Sequence, residues 1–197
     1  MYTELIKADR FNANDFVQLV LMTGKDFLEN AFGKQVNQML QKLFLQPKNL
    51  FSHECTWFGL VEKEIFGVIV GYSYDYARIC RINTGRLILK EIGFWRLLTL
   101  IKINRVLGKH SKGEFYLSNI AVYPKFRSMG LGRKLIEYTF EIAKQQGCKK
   151  IMLDVEKQNE PAKALYRKVG FEKIGEGKIK FAHSEFHFER MSFEIPL

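Results

Sequence analysis

The stretch FRSMGLGRKL, residues 126–135, sets Gly130 and Gly132 between Arg127 and Arg133 at the head of an amphipathic run. A helix that starts there presents unpaired N–H groups and a partial positive charge. The glycines let an anion approach the backbone with no Cβ in the way, and the arginines add charge-assisted contacts. The stretch therefore reads as a pyrophosphate cradle, with a tight strand-to-helix turn as the plainer alternative. No GxxxxGK(S/T) loop is present, and GLGRKL lacks the third glycine of GxGxxG. A second pair, Asn159 and Tyr166, lies seven residues apart. Two helical turns separate them, so both side chains point to nearly the same side if the helix reaches back that far. Asn159 also suits a helix N-cap, and Tyr166 a core aromatic.

Each of these residues needs an element to hold it. YTELIKA (2–8) alternates like a first strand, and apolar residues recur at helical spacing from Asp15 to Leu45, punctuated by Gly24 and Gly33. That pattern predicts two or three short helices. TWFGLVE (56–62) and IFGVIVGYSY (65–74) read as a hairpin joined by Lys63-Glu64. EFYLSNIAV (114–122) is a strand, GLGRKLIEYTFEIAKQQG (130–147) the clearest helix, KKIMLDVE (149–156) a strand and PAKALYRKV (161–169) a short helix. FEKIGEGKIKF (171–181) and EFHFERMSFEI (185–195) close the chain as a strand pair. The apolar phase switches between Phe188 and Met191, which predicts a bulge or turn in the last strand. The order implies an α/β (α+β) fold, a mixed sheet with helices on both faces.

NIAVYPKFRSMGLGRKLIEY and LDVEKQNEPAKALYRKVGFEKIGE (153–176) resemble the two acetyl-CoA-binding motifs of the GNAT superfamily of N-acetyltransferases. In that family a strand ending in VxP leads to RxxGxG/A, and an Asn then precedes AxxLYxxxGF. The likeness covers about residues 117–176; elsewhere only the order of elements matches. It implies a mostly antiparallel sheet of six to seven strands with a splay between two central parallel strands. Pantetheine would lie in that gap against Ile120, Ala121 and Val122. The pyrophosphate would sit on Arg127, Ser128, Met129, Gly130, Leu131, Gly132 and Arg133. Asn159 would bond the pantetheine arm or the start of its helix, and Tyr166 would serve as general acid to the departing sulfur. A backbone N–H near Asn119 or Ile120 would receive the thioester oxygen. Acetyl-CoA is the implied cosubstrate, no metal is needed, and an amine attacks the thioester directly.

One departure stands out. YLSNIAV holds no acidic residue, where family members often carry one on or near this strand. Glu114, Glu62 and Glu64 are the remaining candidates for a base, or Ser118 and Asn119 hold a water. Asp154 and Glu156 read as solvated strand positions. The missing acid keeps open a non-catalytic acyl-CoA-binding sensor or interaction protein of the same fold.

The stretch between the third and fourth strands, about 73–113, is far longer than a turn requires. Its part 73–112 holds nine Lys and Arg against Asp75 and Glu91, within a chain of net charge +10. FWRLLTLIKINRVL (94–107) is helical in pattern, so the insertion is expected to fold as one or two helices over the acceptor side. It reads as a packing extension, as a lid for an acidic or macromolecular amine acceptor, or as a contact for nucleic acid or an anionic surface. No nucleic-acid motif supports the last. His183, Glu185 and His187 alternate and could share one face, but the phase switch beside them argues against a metal site and favours a place along the acceptor groove. The most apolar run, 87–107, is broken by charges, which argues against a membrane span. MYTELIKADRF lacks signal-peptide order, and three scattered cysteines read as reduced thiols of a cytoplasmic protein. The whole of 1–197 reads as one domain, monomeric or homodimeric.

Overall fold

The computed structural model describes residues 2–196. One mixed sheet runs in the order β1-β2-β3-β4-β5-β7-β6. Its strands are β1 (Thr3–Lys7), β2 (Thr56–Val61), β3 (Glu64–Ser73), β4 (Glu114–Val122), β5 (Lys150–Glu156), β6 (Glu172–Lys180) and β7 (Glu185–Glu194). Only β4 and β5 are parallel; every other neighbouring pair is antiparallel. The helices are α1 (Ala13–Leu21), α2 (Lys25–Phe32), α3 (Val36–Leu45), α4 (Tyr74–Ile92), α5 (Phe94–Asn104), α6 (Leu131–Gln145) and α7 (Glu160–Val169).

Two apolar cores separate the layers. On one face Phe16, Leu40 and Phe44 of α1 and α3 pack with Phe58, Val70 and Met152 of the sheet, and α4 and α5 join them through Ala77, Ile88, Leu97 and Leu100. On the other, Leu135 and Ile136 of α6 and Tyr166 of α7 pack on Phe115, Leu117, Ile151 and Leu153. Each such side chain, fully buried, contributes about 1.5–3 kcal/mol.

The connection between β2 and β3 is Glu62-Lys63, one residue earlier than the spacing predicts. Val61 pairs with Glu64, and both turn residues are left-handed, with φ of 50° and 69°. That is the backbone of a two-residue hairpin of the type that matches strand twist, adopted here without glycine. The last strand also differs from expectation. β7 pairs continuously with β5 from Phe188 to Glu194. The irregularity lies on β6, between Lys173 and Gly175. The phase switch has another cause: Phe188 faces the α1–α5 layer, and Met191 and Phe193 face α6 and α7.

Two features open the sheet at its centre. β4 and β5 pair only over Glu114–Tyr116 and Lys150–Met152, although both strands continue. Beside that point Val70 pairs with Asn119 and Gly71 with Leu117, which leaves Ser118 as a bulge in β4. A bulge bends its strand and raises local twist, and β4 turns away from β5 there.

The segment between β3 and β4 forms α4 and α5, joined at Gly93 with φ of 81°. It is pinned at several points. Arg96 Nη1 donates to Asn30 O (2.7 Å), Lys42 pairs with Glu91 (2.5 Å), and Arg190 Nη2 donates to Val106 O (2.5 Å). Arg78, Arg86, Lys90, Lys102 and Arg105 are exposed. Ile88, Leu97, Leu100, Ile103 and Leu107 face inward.

Candidate active site

A cavity of about 1090 Å³ runs through the splay from the start of α6 to the underside of α4 and α5. One end is made of backbone. Pro124 and a short turn carry the chain off β4, Ser128 takes a φ of 62° and Gly130 one of 78°, and α6 then begins. No side chain among the described residues caps α6, so the N–H groups of its first turn are open to an anion. A Cβ added at Gly130 would meet nothing within 4 Å, so the approach is open. Alternating left-handed residues before a helix form a concave anion nest.

Arg127, Ser128, Gly130, Gly132 and Arg133 line this end. The Met129 side chain is exposed and that of Leu131 is buried beneath α6, so these two offer the site only their backbone N–H groups. Asn119, Ile120, Ala121 and Val122 line the middle, where the β4 edge beyond Tyr116 has no strand partner. Asn119 itself is held by side-chain bonds. Its Nδ2 donates to Thr23 Oγ1 (2.8 Å), and its Oδ1 accepts from Ser118 (2.9 Å). Thr23, in the turn between α1 and α2, carries no sequence signal for this role.

Both α7 residues reach the same cavity. Asn159 is the N-cap, its Oδ1 accepting from Ala162 N (3.2 Å), so the capping alternative holds while the side chain also faces the cleft. Tyr166 is buried with its ring against Phe171 (5.5 Å). Its hydroxyl makes no hydrogen bond among the described residues, and burial alone pushes the phenol well above its ordinary pKa. Lys163 anchors α7 from the far side through Glu189 of β7 (3.1 Å), both side chains nearly inaccessible.

Glu62, Glu64 and Glu114 do not line the cavity. Glu64 pairs with Lys125, and Glu114 accepts from Ser111 N (2.6 Å). The carboxylates in the wall are Asp154 and Glu156. Asp154 is not the solvated position its strand pattern predicts; its side chain is 2% exposed. Oδ1 accepts from Arg190 Nε (2.9 Å), and Oδ2 from Gly108 N (2.9 Å) and the Tyr116 hydroxyl (3.1 Å). Asp154 thus fastens the end of the insertion to the splay. Glu156 makes no side-chain hydrogen bond or ion pair among the described residues. Burial first, and Asp26 second, raise its pKa. His187 Nε2 lies 2.8 Å from Glu185 Oε1, and the described residues hold no cluster of three or more metal-ligating side chains.

The fold has solved counterparts. An N-acetyltransferase from Staphylococcus aureus Mu50 superposes with a TM-score of 0.71 at 20% identity, over 96% of this chain and 100% of that one. Another acetyltransferase gives 0.67 at 22% identity, over 98% and 100%. Curated relatives match in part. A ribosomal protein bS18-alanine N-acetyltransferase of Salmonella typhimurium is 31% identical over 84 residues, 43% of this chain and 57% of that protein. A thialysine N-epsilon-acetyltransferase of Bos taurus is 35% identical over 65 residues, 33% and 38%. The chain spans between 18% and 57% of the length of such relatives. The sequence model of the acetyltransferase (GNAT) family matches residues 25–171, which include the splayed strands, the nest and both α7 residues, and the chain belongs to that family.

Proposed function

We propose that this chain, acting as one domain over 1–197, moves an acetyl group from acetyl-CoA to the nitrogen of a primary amine. A single cavity that joins the backbone nest to the lidded face through the splay, with the unbonded Tyr166 hydroxyl in its wall, carries this reading. The family's use of acetyl-CoA fits the nest, and the relatives' names, which put the acetyl group on nitrogen, support an amine acceptor.

In this reading the pyrophosphate lies on the N–H groups that open α6, flanked by Arg127 and Arg133. Pantetheine runs along the unpaired edge of β4, where an extended ligand adds strand-like hydrogen bonds. That brings the thioester to the apex of the splay, with a backbone N–H near Asn119 or Ile120 toward its oxygen. The amine nitrogen attacks the carbonyl carbon, the tetrahedral centre collapses, and the C–S bond breaks. The sulfur takes a proton from Tyr166, the new amide nitrogen releases one to solvent, and Tyr166 regains its proton from solvent, so free CoA thiol and amide leave. A phenol at ~10 and a thiol at ~8.5 make full transfer to a free thiolate uphill by about 2 kcal/mol. Burial holds the Tyr166 proton tighter still, so transfer accompanies C–S cleavage rather than following it.

Cys55, Cys80 and Cys148 are buried, unpaired thiols, which supports a reducing compartment such as the cytoplasm. The test of this function is thiol release from acetyl-CoA against a pooled panel of amines, polyamines and peptides, with mass detection of the product. Amine-dependent release with a monoacetylated product is expected. Tight acetyl-CoA binding with no release for any acceptor would favour the sensor instead.

A further inference from the structure

We propose that the acceptor is a primary amine on an apolar alkyl or aryl body without an acidic group, and that Glu156 receives its ammonium. This rests on the acetyl-transfer reading of the same cavity.

The acceptor chamber is apolar in a way its sequence conceals. Of the nine Lys and Arg in 73–112, only Arg81 lines the cavity; the inward surface is Ile88, Leu97, Leu100, Ile103 and Leu107. Of the other eight, Arg96 is tied to Asn30 O and the remaining seven are exposed. An acidic acceptor would find Arg81 as the one cationic side chain of this segment in the lining, beside the polar Thr84 and Asn104. Elsewhere on the lid its carboxylate would lie among aliphatic side chains, where an unpaired charge is strongly disfavoured. An alkyl or aryl body gains by burial there instead.

A carboxylate closes the opposite wall. A Cβ on Gly24 would lie 3.0 Å from Glu156 Oε1 and 3.8 Å from Phe27 Cβ, so the carboxylate and that ring share one corner. Phe188 stands opposite Glu156 in the β5–β7 register, and its ring packs edge-on to Phe27 at 5.2 Å. An anion beside aromatic rings suits an ammonium, attracted by the charge and by the ring faces. Asp154 cannot play this part, because both its oxygens are engaged. Glu156 can.

An alkyl ammonium is free base only about once in ~10³ molecules at neutral pH. In the proposed step Glu156 takes one proton from the ammonium, which leaves the nitrogen lone pair to attack; the carboxylic acid then returns that proton to solvent. A raised pKa makes Glu156 a better acceptor of it. Asp26 on α2 is the charged group that acts on it. Asp154, two residues earlier on the same strand, is paired with Arg190, and Arg81, Arg127, Arg133 and Lys168 are the cations elsewhere in the cavity lining.

The experiment is a thiol-release series with n-butylamine, n-hexylamine, n-octylamine and 2-phenylethylamine, beside spermidine, lysine, glutamate and an alanyl peptide. kcat/KM is expected to rise about fourfold per added methylene until the chamber is filled. Glu156→Gln should lower acceptor kcat/KM by ~10²-fold, hold the acetyl-CoA KM, and remove the acid limb set by Glu156, leaving only the rise set by the amine's own ionisation. Glu156→Asp should restore part of the rate. The folded state holds the proton of Glu156 more tightly than the unfolded chain, so stability falls as pH rises through the raised pKa. Glu156→Gln lacks that cost and should melt no lower than wild type at pH 7, so its kinetics report the site. A flat alkyl series overturns the proposal. So does preference for glutamate, spermidine or the peptide, or an unchanged pH profile in Glu156→Gln. In those cases acetyl transfer stands; if no amine supports release, the acetyl-transfer reading falls and this one with it.

Discussion

The two ends of the cavity are built by opposite means. The α6 end is made of backbone: a nest, an uncapped helix start and the β5-facing edge of β4 beyond Tyr116. The α4–α5 end is made of aliphatic side chains. A backbone site constrains residue type severely, since only some residues accept left-handed dihedrals or leave a helix start bare. A chamber lined by Leu and Ile uses the residues that any core uses. The first end therefore leaves a signature in sequence, and the second leaves only periodicity.

That contrast is broken most forcefully at Gly130. Its φ of 78° is one that Asp tolerates better than most residues, and an added side chain there meets nothing within 4 Å. A carboxylate about 4 Å from a phosphate charge costs about 4 kcal/mol at the effective dielectric of a protein surface. Calorimetry of Gly130→Asp should thus show acetyl-CoA affinity down by about 10³-fold with the melting temperature nearly held. Unchanged affinity would remove the nest from the cofactor site. A milder effect belongs to the other end. Leu100→Ala trims the lid's inner surface and should raise the acceptor KM about tenfold, in line with the lost apolar contact, while the acetyl-CoA KM stays put. If both constants move together, the two ends are not separate subsites.

The legibility of the chain follows the same division. GLGRKL, Asn159 and Tyr166 were readable because spacing and glycine placement have few other uses. The bulge at Ser118 was not, since it arises from register between β3 and β4, which no local pattern encodes. Asp154 reads as solvated because it alternates with Leu153 and Val155. Its burial depends on Arg190, Tyr116 and Gly108, all distant in sequence. The phase switch in β7 is visible in the sequence, where it predicts a bulge. A strand that sits between two helical layers buries both faces, and alternation then carries no marker of kink or turn. Nine basic residues leave the insertion open to three readings, a lid for an acidic acceptor among them; tertiary packing keeps all but Arg81 out of the cavity lining. Charge counts along a sequence say how much charge a segment holds, and the helix faces decide where it goes.

Tyr166 gives the most direct test of the account, because it joins the cofactor end to the chemistry. Steady-state thiol release by Tyr166→Phe, with acetyl-CoA saturating and the best amine of the series, isolates the proton given to sulfur. The account predicts kcat lower by ~10²–10⁴-fold with acetyl-CoA affinity held. A Tyr166→Phe enzyme that turns over at the wild-type rate would contradict it.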